Sequence, residues 1–422
     1  MKKFSDNYIC IFYYILLLII LLLKTNAEAP NPIYRVGYLT LFFMPLILKF
    51  RYAFLPLFIC FMTIGTYGFT YSFFPYMMVN YAIISIIALC FSNDILRTKV
   101  SILWLCTILY IGLIDILDCG CFAEVFYSLL TVSIAVILTR NAETYLVKRL
   151  VLLSFTVISI SLSLQYLINY DLFIESYNAS DGIERAGWTD PNYLSCIIGM
   201  GVLSSAMLLT DTERISLLLK TYCIVVILIS VIAQLLLASR GGLLCVSMSL
   251  IAIVLFSKTK NYFKLFAILF AIIFIIWLYN NNYFDLLLYR MGEDDATGSG
   301  RLGIWNRKIT AFVNEFTPIH WLFGIGQNSA YMLASNGTGM GFHNDFIAIL
   351  CSYGLVGFIF FIYMLFVYPF KVIGHSHRVH VWAIIIYITL ACLTLEPFTA
   401  GRITFFGFYA LILLCYREKS VV

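Results

Sequence analysis

A succession of about fourteen apolar stretches, most of them about 17–25 residues long, restricts this chain more than any other feature, because that is the length a helix needs to cross a hydrocarbon layer of about 30 Å. No water reaches a backbone N–H or C=O inside a bilayer, so each stretch is read as a helix that closes its own hydrogen bonds. Composition agrees: 62% of the 422 residues are apolar and 12% are charged, against about 25% charged in soluble domains. A soluble globular domain, a disordered chain, a coiled coil and a disulfide scaffold are excluded on this ground. The 12 Cys lie mostly inside the apolar stretches, where they pack as small apolar side chains. The expected fold class is an all-α polytopic membrane protein of about 12–14 transmembrane helices.

The stretches run from Tyr8 to Leu23 at the start to Arg402 to Tyr416 at the end, with a short one at Val36 to Leu48. They divide the chain into N-terminal transmembrane helices at 1–168, central transmembrane helices with Arg-bearing outer turns at 169–279, a large extracytoplasmic loop at 280–344, and C-terminal transmembrane helices at 345–422. Alternating sides from an inner N-terminus gathers most of the 27 basic residues on the inner side: Lys2, Lys3, Lys49, Arg51, Arg97, Lys99, Arg140, Lys148, Arg149, Arg214, Lys220, Lys258, Lys260, Lys264, Lys371, Arg378, Arg417 and Lys419. Short cytoplasmic loops carry such an excess, so both termini are expected in the cytoplasm. Residues 1–29, with Lys2, Lys3 and an Ala27-Glu28-Ala29 pattern, have signal-peptide features but are read as an uncleaved anchor, because the apolar run from Ile9 to Leu23 is long for a signal core. The basic residues are scattered between apolar stretches, so the net charge of +5 does not indicate nucleic-acid binding.

The few outer basic residues stand at the ends of spans. Arg185 and Trp188 precede Asp190-Pro191-Asn192, where Asp190 reads as an N-cap and Pro191 as the first helical residue. Arg240 occupies the turn Ser239-Arg240-Gly241-Gly242, too short to lift a guanidinium far from the interface, and Arg301 follows Ser299-Gly300 ahead of Trp305. Taken singly, each Arg reads as snorkelling. Three in Gly-bearing outer turns suit a phosphate or diphosphate, whose oxygens match the guanidinium fork. His343 precedes a long apolar helix that begins near Asp345, and a helix N-terminus disfavours imidazolium. The expected species is a neutral imidazole able to take a proton from a hydroxyl. On a continuous helix His343, Leu350, Gly354 and Gly357 share a face that a neighbour approaches closely.

These residues together resemble the O-antigen ligase and O-antigen polymerase family of bacterial envelope glycosyltransferases. His343-Asn344 followed by Gly354 and Gly357 fits the family's His-Asn signature with its two spaced glycines, and Asp190-Pro191-Asn192, Ser239-Arg240-Gly241-Gly242, Arg301 with Trp305, and Leu322-Phe323-Gly324-Ile325-Gly326 fall in the family's order. The resemblance covers roughly residues 185–370. It implies a GT-C-like, inverting, metal-independent enzyme of the bacterial inner membrane, working on the periplasmic face without a cofactor. The implied donor is a glycan on polyprenyl (undecaprenyl) diphosphate, and the implied acceptor is a sugar hydroxyl of a growing polysaccharide or of lipopolysaccharide lipid A core. A polymerase would also have a chain-length regulator as partner. By position, Arg185, Arg240 and Arg301 would hold the diphosphate, Arg240 and Arg301 would assist its departure, and His343 would activate the acceptor.

Other groupings are weaker. Glu293-Asp294-Asp295 reads as a solvated loop rather than a cation site, and His375, His377 and His380 as an inner surface loop rather than a zinc site. Cys119-Gly120-Cys121 reads as a turn. Asp115, Asp285 and Glu396 are read as hydrated acids near outer span ends. The competing function is a flippase or transporter for polyprenyl-linked oligosaccharide. Such carriers place their sites at the midplane between related halves, whereas here the pointed charges gather on one face.

Overall fold

The computed structural model describes residues 102–119, 144–171, 190–211, 215–293, 300–334, 341–372, 378–399, 405 and 408–409. The anchor, the spans expected before residue 100, the span from Phe122 to Thr139, most of that from Arg402 to Tyr416, Arg185, Trp188, Gly120-Cys121, Asp294-Asp295, His375 and His377 lie outside the described residues. Among the described residues all regular structure is helical, and five helices are long and apolar enough to cross a membrane. In chain order the elements are α1 (Ile102–Cys119), α2 (Thr144–Ile168), α3 (Pro191–Thr210), α4 (Leu217–Leu236), α5 (Arg240–Phe256), α6 (Asn261–Asn280), α7 (Asp285–Glu293), α8 (Arg301–Glu315), α9 (Pro318–Phe323), α10 (Gln327–Met332), α11 (Asp345–Ile362) and α12 (Arg378–Thr394). A π-helical stretch at Tyr363–Val367 and a final turn at Tyr368–Val372 prolong α11.

Helix α3 is the hub. It is buried from Tyr193 to Leu208, and α2, α4 and α5 pack around it, with α12 against α5. Lipid is as apolar as Leu, so helices in a bilayer associate through close backbone approach and hydrogen bonds rather than through hydrophobicity alone. Both devices are present. A Cβ on Gly201 would lie 2.1 Å from Ser159 Cβ and 2.5 Å from the Phe155 carbonyl. Ser159 Oγ on α2 donates to the Ile198 carbonyl at 2.7 Å and lies 2.7 Å from Ser230 Oγ on α4, while Gln234 Nε2 donates to the Ser195 carbonyl at 2.7 Å. Helix α6, by contrast, is exposed almost all round, which suits a surface that faces acyl chains.

The two ends of the bundle differ in chemistry. At one end Lys148, near the start of α2, pairs with Asp211, at the end of α3, at 2.5 Å, and Thr210 meets His380 Nε2 at 2.9 Å. At the other end lie the N-termini of α3, α5, α8 and α11 and the C-terminus of α12. The connection from α4 to α5 is three residues, Leu237–Ser239, turned by Ala238 at φ 49°. Arg240 is therefore the first helical residue of α5 rather than part of a loop, so the turn is even shorter than the sequence reading supposed.

Helix α11 is not continuous. Gly354 stands at φ 62° and ψ −168°, a region essentially reserved for glycine, and breaks the helix. The segment 322–326 fills the gap. Ile325 N–H donates to the Cys351 carbonyl at 3.1 Å and Gly326 N–H to the Ser352 carbonyl at 2.9 Å, so carbonyls freed by the break find partners. Contact is backbone on backbone: a Cβ on Gly354 would lie 2.4 Å from the Leu322 carbonyl, and one on Gly324 would lie 2.2 Å from the Ser352 oxygen. Tyr110 of α1 clamps the joint by donating to the carbonyls of Phe323 at 3.0 Å and Tyr353 at 2.7 Å. The single face expected for His343, Leu350, Gly354 and Gly357 is thus interrupted, because the close neighbour is a glycine-bearing loop and not a helix.

Candidate active site

The start of α3 forms as its sequence dictates. Asp190 accepts from Asn192 N–H at 2.8 Å and Pro191 opens the helix where a missing N–H costs nothing. Asn192 then receives the Ser239 hydroxyl at 3.1 Å, while the same Ser239 oxygen caps α5 by accepting from Gly242 N–H at 3.4 Å. This places Arg240 beside the first turn of α3. Gly241 abuts Thr394, the last residue of α12, since a Cβ there would meet Thr394 Oγ1 at 3.0 Å.

Arg301 also begins a helix, α8, after Gly300 at φ 76°. Trp305 Nε1 donates to the Phe342 carbonyl at 2.6 Å, which holds α8 against the residues preceding α11. Arg301 lies within electrostatic range of His343 and of Cys196 on the second turn of α3. Arg240 and Arg301 therefore both sit at helix N-termini, where a cation opposes the helix dipole at a cost of about 0.3–1 kcal/mol each.

His343 precedes Asn344, whose side chain caps α11 by accepting from Phe346 N–H at 2.9 Å and Ile347 N–H at 3.2 Å. Asp345, fully buried, accepts from Phe398 N–H at 2.8 Å, Thr399 N–H at 2.9 Å and the Thr399 hydroxyl at 2.7 Å, which ties the start of α11 to the chain after α12. His343 itself is left-handed, at φ 51°. Burial lowers the imidazole below its ordinary 6.5, Arg301 lowers it further, and Asp190 pulls the other way. Burial and Arg301 thus both push toward the neutral form expected from the helix terminus alone.

Glu396, read from sequence as a hydrated acid, is the residue that reading missed. Its carboxylate accepts the N–H of His343 and that of Phe342. Two successive N–H groups beside a left-handed residue make a concavity that grips anions, and here a carboxylate fills it. Tyr193 on α3 in turn receives Glu396 N–H at 3.1 Å. Burial pushes the Glu396 carboxyl up to about 7 despite these hydrogen bonds. The only signal in the sequence was an acid beside Pro397 at a span end. Lys308 on α8 was also passed over: it is buried, and its Nζ donates to the carbonyls of Ala330 at 3.1 Å and Tyr331 at 3.0 Å. Of the site residues expected from sequence, His343, Arg301 and Arg240 come to the same end of the bundle; Arg185 lies outside the described residues.

Arg240 and Arg301, each the first residue of a helix, and His343 thus lie at one end of a bundle whose long apolar helices suit a membrane. Residues 224–362, about a third of the chain, match the family model for O-antigen ligase, and over this segment the chain is similar to that family. The match runs from within α4 to the end of α11 and includes Arg240, Arg301, Gly324, His343 and Gly354, while Asp190 and Glu396 fall outside it. No curated protein and no solved structure matches the chain.

Proposed function

We propose that this chain transfers a glycan from polyprenyl (undecaprenyl) diphosphate to the hydroxyl of an acceptor sugar, on a growing polysaccharide or a lipid A core, with inversion and without a metal. The observation that carries the reading is that Arg240, Arg301 and His343, all within the family-matched segment, come to one end of the bundle, where burial and Arg301 favour the uncharged imidazole. His343 takes the proton as the acceptor oxygen attacks the anomeric carbon. The bond from that carbon to the diphosphate oxygen breaks, and its electron pair stays on the diphosphate. Arg240 and Arg301, with Arg185 as expected from sequence, stabilise the charge that develops, which fixed donors in a partly dehydrated site do better than water. Inversion needs one base opposite the leaving group and no carboxylate nucleophile. The setting proposed is the bacterial inner membrane, with this end of the bundle periplasmic and both termini cytoplasmic.

The test is transfer by purified protein from lipid-linked donor extracted from the producing cells. His343→Ala is expected to lose about 10²–10⁴ in rate while still inserting in the membrane. Arg240→Lys should fall well below the parent, because an ammonium cannot make the bidentate contact. Full activity in the His343→Ala protein would remove the base assignment.

A further inference from the structure

We propose that Lys308 is a positioning residue for this transfer: by locking α8 onto Phe342 it sets where the Arg301 guanidinium stands relative to the His343 imidazole. The proposal rests on the diphosphate reading of Arg301. Arg301 and Lys308 are seven residues apart on α8, two turns, so they occupy the same face about 10 Å from one another along the axis. Lys308 is 1% exposed. Its ammonium donates to the carbonyls of Ala330 and Tyr331, which end the short α10, and stands over the Phe342 ring at 4.2 Å from the centroid. These contacts engage the ammonium from two sides, and its burial leaves it no access to a substrate. Its action must pass through what it holds.

What it holds is the residue before the base. Phe342 is gripped on its ring by Lys308 and on its carbonyl by Trp305 Nε1 at 2.6 Å, both from α8. His343 follows directly, with its N–H on Glu396. Arg301 and His343 are therefore the two ends of one short mechanical path through α8, Lys308 and Phe342. If packing alone mattered, an unbranched apolar chain would fill the same slot, since buried charges are often replaceable by apolar groups of equal volume. An ammonium is explained by having to satisfy the α10 carbonyls and face an aromatic ring at once.

The test uses the full chain in lipid nanodiscs and two readouts: undecaprenyl diphosphate affinity, and the His343 titration by histidine NMR, its resonance assigned with His343→Gln. Asp190 from the α3 cap and Glu396 beyond α12 also face this region and are left intact. Lys308→Met is expected to weaken undecaprenyl diphosphate binding about tenfold, as for a lost contact to a charged group, and to raise the His343 pKa because Arg301 moves away. In an Arg301→Ala background the same substitution should change neither readout further. Trp305→Phe, a milder change, should shift both in the same direction by less. Equal effects of Lys308→Met in both backgrounds, or an unmoved His343 titration with Arg301 present, would overturn the proposal. Should Arg301→Ala leave undecaprenyl diphosphate binding intact, the diphosphate reading fails on its own, and the His343 titration still decides the role of Lys308.

Discussion

Replacing Gly354 by Ala tests the joint between α11 and the 322–326 segment. At φ 62° and ψ −168° an alanine is strained by about 1–3 kcal/mol. Its Cβ would also lie 2.4 Å from the Leu322 carbonyl carbon and oxygen and 2.5 Å from Gly324 N. These are backbone atoms that cannot swing aside, and overpacking of this kind costs about 1–3 kcal/mol more. The sum, about 2–6 kcal/mol, corresponds to a fall in Tm of about 4–12 °C at about 2 °C per kcal/mol for a large chain. A thiol-reactive fluorophore suits the assay, because Cys196, Cys245, Cys351 and Cys392 are buried and Cys351 lies at the joint itself. Gly303→Ala on α8 is the control: a Cβ there meets nothing within 4 Å, and helix propensity favours Ala by about 1 kcal/mol. A Gly354→Ala protein that melts with the parent and transfers glycan at the parent rate would refute the backbone-on-backbone joint.

Three further outcomes are expected. The acid side of the transfer pH profile should fall in two stages, first near pH 7 as Glu396 is protonated and then below pH 6.5 as His343 is, since the His343 pKa is lowered; Arg301→Ala should move the second stage upward by removing one of the causes. Glu396→Gln should cut transfer about tenfold while membrane insertion is retained, because an amide oxygen accepts from the His343 and Phe342 N–H groups less strongly than a carboxylate; an unchanged rate would deny Glu396 any part in holding the base. Asp190→Ala should lower stability by about 1 kcal/mol in the same melting assay, the usual worth of an N-cap.

Much of the fold was legible because a membrane helix announces itself by length and apolarity. The stretch from Tyr262 to Tyr279 became α6 at Asn261–Asn280, and Asp190-Pro191 opened α3 where capping chemistry required. The break at Gly354 was not legible. Its sequence, apolar on both sides, carries the pattern of an unbroken helix, and the segment that fills the gap lies about thirty residues away with no local sign of its destination. The site divides in the same way. His343 and the two Arg were visible because charge is rare in such a chain. Glu396 was visible but misread, since hydration near a span end and burial beneath a loop look alike until the loop is folded. Lys308 lay among the charges of a segment taken as an aqueous loop, and only the fold of α8 onto Phe342 turns it inward.

The three-residue link between α4 and α5 acts as a phase setting. Each residue of an α-helix advances by about 100°, so adding or deleting one position between Leu237 and Ser239 would rotate every side chain of α5 by more than a quarter turn against a fixed α4. Gly242 would leave the Ser195 surface it abuts, and Arg240 would turn away from its present direction relative to α3. Chain length at this one bend, as much as any side chain there, fixes the azimuth of the guanidinium.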